Sequence, residues 1–488
     1  MRKEAVVAAA VVTTAATVVG VVVLVRKWKR RSERRWRAAQ QILRKLANDS
    51  ATPVAKLWQM AGELAPDGDW EKSNSLCKLV SNLAAPLPTG EEKGTFYGIN
   101  LRGTDVVILR ARLEGKNESV SELRRQEIEI PSSIMGSTKE LCNFVALELA
   151  KFISLHSETD SDKSSKRPTL GFTISYPSDQ SPSSSGIHLK WHNLLVDDTV
   201  GKEFENDINV ALEKHGVDMR VFAVVKDTIG HLAGGQYYNK ESVAAVSLGT
   251  GTDVAYIQSP QHTPRNNNIS TNSTETHVFN MQWGNFSSTH LPLTEYDVAL
   301  DAESTNPGEG IFEKLISGMC LGEIVRRVLL KMAHEAALFG DNVPPKLAIP
   351  YILRPFDMAA MHQDTSEDYE IVDDKLKQVF EINNSTPMVR EIVTEVCDIV
   401  TERGARLVGA GIVGIVKSLD RIKTRRSVVT VEGGLYDHYR IFRNYLHSSV
   451  WEMLGSDLSD NVVIEHCHGG SAVGSTFLAA SHTRNANH

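Results

Sequence analysis

Apolar residues follow three different rhythms along this chain. From Ala5 to Val25 they run without a single charge, mixing Val, Ala, Leu and Gly with a few threonines. A run of roughly 20 such residues, rising 1.5 Å each as a helix, spans about 30 Å, the thickness of a membrane hydrocarbon core. Between Trp36 and Leu46 the rhythm becomes helical, with Ile42, Leu43 and Leu46 on one side. Pro53 interrupts it, and Val54, Leu57, Met60 and Leu64 resume it. Phe96–Leu101 and Val106–Leu113 are β-rich runs, joined by Arg102-Gly103-Thr104-Asp105 in a hairpin-like arrangement. Ser137-x-x-Glu140 is a capping box that opens a helix burying Leu141, Val145, Leu149 and Phe152. Strands are predicted at Val221–Val225, Ala244–Leu248 and Val254–Ile257, and long helices near Phe312–Ala337 and Met388–Leu419. The polar stretches 158–167 and 259–276 read as surface loops. Strand and helix runs in both halves predict an α/β protein with two lobes, and no solenoid-period repeat is visible.

Composition and charge narrow the picture. The 488 residues allow one large bilobed enzyme or two or three folded units. With 41% hydrophobic and 23% charged residues, disorder throughout is excluded. A net charge of -7 gives no reason to expect nucleic acid as the main partner. Five scattered cysteines without a C-x-x-C pair argue against a zinc ribbon or a disulfide framework, and no metal ligands are assigned. The block Arg26-Lys27-Trp28-Lys29-Arg30-Arg31, with Arg34, Arg35 and Arg37, outweighs Arg2 and Lys3. Positive charge stays cytoplasmic, so an uncleaved anchor at Ala5–Val25 with a cytosolic body is expected. A removed signal peptide is the alternative, but no clear small-x-small cleavage site follows the apolar run.

Glycine-rich segments sit where strands end or turn: Gly103-Thr104, Leu248-Gly249-Thr250-Gly251-Thr252, Glu432-Gly433-Gly434, and Gly469-Gly470-Ser471 with Gly474. Glycine lets backbone N–H groups close on phosphate oxygens, and Ser or Thr hydroxyls add donors. Each alone is only a turn signal. No G-x-x-x-x-G-K-[ST] loop occurs, which excludes a P-loop kinase. Asp227, just past an apolar strand, read by itself is a helix cap.

Taken together and in this order, the segments resemble the hexokinase family over nearly the whole chain from Trp36. The resemblance is carried by 170–177 (LGFTISYP), 226–235 (KDTIGHLAGG), 248–252 (LGTGT), 283–286 (WGNF), 291–297 (LPLTEYD) and 306–309 (NPGE). The anchor with its arginines is similar to that of plant hexokinases on the mitochondrial outer membrane, which sets the expected location. The resemblance implies two actin-like α/β lobes that close on a hexose, with Mg-ATP as cofactor and glucose or fructose as partner; protein partners stay unassigned. It implies an anchor and basic flank over 1–37, helices packing on the large lobe over 38–90, and a small lobe over 91–226. The large lobe would then take 227–475, with a C-terminal helix over 476–488 returning to the small lobe.

By the same resemblance Asp227 falls on the catalytic base that accepts the sugar hydroxyl proton. Ser175, His192, Asn193, Lys226, Asp253, Gln282 and Glu313 fall on sugar-side positions. Asn100, Arg102, Gly103, Thr104, Asp105, Gly249, Thr250, Gly251, Gly433, Gly470, Ser471 and Gly474 fall on the nucleotide side. Several of these depart from the family pattern. Asn100 stands for a carboxylate that helps hold the Mg-bound waters, Arg102 for a glycine and Asp105 for an asparagine. Asn193 stands for a lysine, Lys226 and Asp253 for asparagines, and Gln282 for a glutamate. Losing one preorganised donor typically lowers a rate about a hundred- to a thousandfold. A positive Lys226 beside Asp227 is expected to stabilise its charged form and weaken it as a base. The expectation is therefore a hexokinase-like protein with impaired phosphorylation and a weakened Mg-ATP site, kept for sugar sensing or regulation at an organelle surface. An active glucose or fructose kinase is the alternative, and a scaffold without ligand is a third class.

Overall fold

The computed structural model describes residues 33–64, 79–83, 87–102, 105–115, 120–134, 137–156, 169–175, 198–249, 251–258, 277–281, 283–467 and 470–485. The apolar run Ala5–Val25, the loops 158–167 and 259–276, and Gly103, Thr104, His192, Asn193, Thr250 and Gln282 lie outside them. Among the described residues no helix is long and apolar enough to cross a membrane.

The amphipathic runs become helices where their spacing places them. Helix α1 (33–50) buries Ala39, Ile42, Leu43 and Leu46. After Pro53, α2 (Val54–Leu64) buries Leu57, Met60, Ala61 and Leu64. Helix α3 (Thr138–His156) starts as its capping box predicts: Glu140 N–H donates to Ser137 Oγ at 3.4 Å, and Leu141, Val145, Leu149 and Phe152 are buried. Two further helices, α4 (Asp198–Lys214) and α5 (Asp227–Tyr238), flank the strand that leads to the site.

Eleven described strands form two sheets. They are β1 (Leu79–Leu83), β2 (Lys93–Arg102), β3 (Asp105–Glu114), β4 (Ser121–Glu129), β5 (Thr169–Ser175), β6 (Arg220–Lys226), β7 (Ser242–Leu248), β8 (Thr252–Gln258), β9 (His277–Met281), β10 (Ser427–Glu432) and β11 (Val462–His466). The smaller sheet has the order β4-β3-β2-β5-β6, the larger β1-β9-β8-β7-β10-β11. Three antiparallel strands in each are followed by two parallel ones: β2-β3-β4 then β5 and β6, β7-β8-β9 then β10 and β11. The sheets thus share one topology, with β1 added at the edge of the second. Their first hairpins correspond as well. Arg102 pairs with Asp105 across the first turn, and Leu248 with Thr252 across the second.

Strands β2, β3 and β5 of the smaller sheet are buried on both faces because they are apolar over most of their length, as expected for strands covered on two sides, whereas edge strand β4 is polar and largely exposed. Ile99, Leu101, Val106, Ile108 and Phe172 pack with Leu149 and Phe152 of α3 and Phe204 and Ile208 of α4. On the other face Val107, Leu109 and Val225 meet Ile229, Leu232 and Tyr237 of α5, and Ala245 and Ala255 of the larger sheet.

The helix predicted near Phe312–Ala337 is broken. It follows α6 (Glu295–Glu303) as two pieces, α7 (Ile311–Ile316) and α8 (Gly318–Ala336). Ser317 between them is extended, with ψ 145°. The break frees the Gly318 N–H to donate to Gly249 O at 3.0 Å, so the start of α8 anchors the second glycine turn. Beyond lie α9 (Pro355–His362), α10 (Glu370–Phe380) and α11 (Pro387–Ser418), where a long helix was expected, then α12 (Gly434–Asp437), α13 (Arg440–Leu458) and α14 (Gly470–Asn485).

The chain divides into two compact units. One comprises α1 with Pro292–Leu300 and Gly322–Val400; the other takes Thr52–Leu291, Asp301–Leu321 and Thr401–His488 and holds both sheets. In the first, fully buried Glu323 accepts from Arg326 Nε at 2.7 Å, Arg327 Nε at 2.8 Å and Tyr351 N–H at 2.7 Å, so its charge is compensated.

In the second, α5 and α14 are counterparts, each following the fifth strand of its sheet's shared pattern. They cross where a Cβ on Gly474 would meet the Gly230 backbone at 2.4 Å. Only glycine permits that approach. Helix α14 lies across β2 and β5, where a Cβ on Gly171 would come within 1.7 Å of Ser475 O.

Candidate active site

Asp227 is the first residue of α5, directly after β6, with Lys226 at the N-cap in extended conformation. The helix N-terminus favours a negative charge there. Burial nevertheless raises the Asp227 pKa; His231 and the Ser175 hydroxyl act to lower it, while Glu432 and Asp253 add to the rise. The Asp227 carboxyl is therefore a stronger base than an ordinary aspartate. This corrects the expectation that Lys226 holds it down, and the reason is where the ammonium goes.

Lys226 Nζ lies 3.2 Å from Asp253 Oδ1, with the lysine side chain 3% exposed and the aspartate 12%. Thr228 Oγ1 donates to Asp253 Oδ2 at 2.9 Å and Asn280 Nδ2 to the same oxygen at 2.7 Å. Two residues that the resemblance marks as separate departures therefore form one buried ion pair, its carboxylate held by two hydrogen bonds. The charges that end the first hairpin are paired too: Arg102 Nη1 lies 3.5 Å from Asp105 Oδ2 and 3.3 Å from Glu127 Oε1. Asp105 faces a guanidinium, and that guanidinium is engaged along the sheet by β3 and β4.

Asn100 is fully buried in β2, beside β5. Its Oδ1 accepts from Ser175 Oγ at 3.0 Å, while its Nδ2 has no hydrogen-bond partner among the described residues. A buried amide N–H₂ suits an anionic phosphate oxygen or a hydroxyl, not a cation's water shell. The residues present thus fit a nucleotide phosphate better than they fit the Mg²⁺ that accompanies it.

Glu313, early in α7, accepts from Thr252 N–H at 3.3 Å. Its pKa is raised to about 6, chiefly by burial and further by Asp253, against lowering by the Thr252 N–H and Lys226. Two glycines make room for it. A Cβ on Gly284 would meet Glu313 Cβ at 2.9 Å, and one on Gly251 would meet Oε1 at 2.9 Å. Fully buried Trp283 and Gly284 share one short 3-10 turn. Gly249 N–H closes the second turn on Gly251 O at 3.0 Å, and Gly433 passes so close that a Cβ would meet Leu248 O at 2.2 Å. Gly470 and Ser471 open α14, while Gly474 lies inside it at the crossing with Gly230.

The structure therefore gathers Asn100, Ser175, Lys226, Asp227, Asp253 and Glu313 through linked contacts, with Gly251 against Glu313. Sequence reasoning missed Thr228, Asn280, His231 and Glu432. His231 was legible as the residue one turn after Asp227 on the same helix face. Asn280 was not, because it reaches Asp253 across the pairing of β9 with β8.

A buried carboxylate at the start of a helix, next to an ion pair whose two members both act on the buried Glu313, in a unit that holds two sheets of one topology, defines a two-sheet α/β class of fold and site. Two hexokinase family models match the chain, one over residues 42–237 and one over 243–481. Spinach (Spinacia oleracea) hexokinase-1 is 45% identical over 464 residues, covering 93% of each chain. Rice (Oryza sativa) hexokinase-2 is 45% identical over 463 residues, covering 93% of this chain and 94% of the rice protein. A glucose complex of Schistosoma mansoni hexokinase superposes with a TM-score of 0.72 at 25% identity, covering 91% of this chain and 99% of that one. This chain belongs to the hexokinase family, and its two sheets are the actin-like α/β fold that the sequence resemblance implies.

Proposed function

We propose that this protein binds hexose and ATP but transfers the γ-phosphoryl group poorly, and that its role is sugar sensing or regulation at a membrane surface. The observation that carries this reading is the Lys226–Asp253 ion pair beside Asp227. At both positions the family offers neutral amides to the sugar. Here a hexose hydroxyl has to compete with a buried charge pair, and leaving either charge unpaired is costly. The substituted Asn100 supports a weakened Mg²⁺ arrangement on the nucleotide side. The uncharged run Ala5–Val25 and its basic flank support attachment to an organelle surface, by analogy the mitochondrial outer membrane, with the body in the cytosol.

A second reading, an active glucose or fructose kinase, is favoured by the raised pKa of Asp227 and by the mutual neutralisation of the substituted charges. Turnover of glucose and fructose at saturating Mg-ATP separates the two, with calorimetric titration of glucose on the same sample. The proposed function expects measurable but weak sugar binding, and turnover far below the roughly 1–100 per second usual for kinases. Turnover inside that range establishes the second reading instead. Absence of any sugar binding removes both.

A further inference from the structure

Three side chains from three elements converge behind Asp227: His231 from α5, Glu432 from the end of β10 and Cys467 just after β11. One ligand atom from each lies within 4.8 Å of the other two. We infer that His231, Glu432 and Cys467 form a binding site for a zinc-type divalent cation, which ties the first turns of α5 to the adjoining ends of β10 and β11.

The backbone brings the trio together. Strands β10 and β11 run parallel with Val431 opposite His466, and Cys467 N–H donates to Val431 O at 3.0 Å. Glu432 and Cys467 therefore leave neighbouring strands at the same level, where α5 presents His231. The imidazole is 2% exposed, and its Nδ1 has no hydrogen-bond partner among the described residues. Its Nε2 lies 2.6 Å from Glu432 Oε2. A buried imidazole, a carboxylate with its side chain 23% exposed and a thiol of intermediate exposure make a mixed N, O, S donor set.

That set suits a borderline-soft cation. Zn²⁺ takes imidazole nitrogen, carboxylate oxygen and thiolate sulfur at about 2.0–2.3 Å, with water completing a tetrahedron. Hard Mg²⁺ or Ca²⁺ would not select the sulfur. On binding, the Cys467 thiol gives its proton to solvent and the sulfur coordinates as thiolate. The trio escapes spacing-based sequence search, because its members come from widely separated segments rather than a paired motif. The site stands independently of whether the hexose site turns over.

The test uses the full-length chain, freed of metal with a chelator and titrated with Co²⁺ as a spectroscopic stand-in and with Zn²⁺ by competition. One equivalent of Co²⁺ is expected to bind with an intense thiolate-to-metal band in the near ultraviolet and tetrahedral visible bands, both displaced by Zn²⁺. Cys467→Ser should abolish the ultraviolet band, and Glu432→Gln and His231→Asn should each weaken affinity by more than about a hundredfold. That exceeds the roughly 10–100-fold effect of altering an outer-shell partner. Cys142→Ala, on buried α3, should change neither spectrum nor affinity, and Zn²⁺ should raise the melting temperature of the wild type but not of Cys467→Ser. If one variant fails to fold, the other two still carry the test. A simple His231–Glu432 ion pair without a metal site is the competing account. It is established by no saturable uptake at one equivalent, or by a thiolate band that survives Cys467→Ser.

Discussion

Lys226 and Asp253 each resemble a defect when considered singly, and together they form one buried ion pair. Replacing one partner leaves a buried charge uncompensated, which typically costs about 3–5 kcal/mol. Lys226→Asn and Asp253→Asn should therefore each lower unfolding stability by that order, while the double variant recovers most of it. Denaturant unfolding of the four proteins measures the coupling, and calorimetry should show the double variant binding glucose more tightly than the wild type. Additive losses would mean that the pair is not an energetic unit.

Glu313 gives a pH prediction at the same scale. Its pKa of about 6 in the folded chain exceeds the 4.5 of an ordinary glutamate. With the folded value raised, its contribution is present in full below about 4.5 and is lost as pH rises through about 6. Glu313→Gln keeps the neutral form at every pH. Its stability relative to wild type should therefore improve from pH 4 to pH 7, by up to about 2 kcal/mol at 1.36 kcal/mol per unit. Unfolding curves of both proteins across that range check the sign.

At the scale of elements, the crossing of α5 and α14 is set by backbone contact rather than by side-chain interdigitation. Gly474→Ala forces a methyl into the Gly230 backbone, and such overpacking costs about 1–3 kcal/mol. Gly62, in α2, has no group among the described residues within 4 Å of where a Cβ would stand. Gly62→Ala should instead stabilise by about 0.5–1 kcal/mol, because alanine loses less entropy in a helix. Opposite signs in the two melting temperatures are the expected result. The broken helix at Ser317 teaches a related lesson. Apolar periodicity runs through Phe312–Ala337 unbroken, so pattern alone predicts one helix; the hydrogen bond from Gly318 to Gly249, remote in sequence, decides the break.

At the scale of the whole molecule, two sheets of one topology place two equivalent turns and two equivalent helices about the site. No sequence repeat announces this, because the halves share strand order rather than side chains. The proposed attachment through Ala5–Val25 belongs to this scale as well. The protein is expected to stay in the membrane pellet after alkaline carbonate washing, and external protease should digest its body on intact organelles. Release by carbonate, or protection without detergent, would exclude attachment through Ala5–Val25.

The sequence by itself determined the family, the amphipathic helices α1 to α3, the β2–β3 hairpin with its Arg102–Asp105 ends, and Asp227 as the carboxylate after an apolar strand. These follow from short-range periods, caps and contiguous motifs, which local physics fixes within a few residues. Only the tertiary structure decided that Lys226 faces Asp253 rather than Asp227, that Asn280 and Thr228 hold that pair, and that Gly474 serves a helix crossing. It alone brought His231, Glu432 and Cys467 together. Each of these depends on side-chain direction and on strand register between distant segments, and a one-residue change of register would turn every such group to the opposite face.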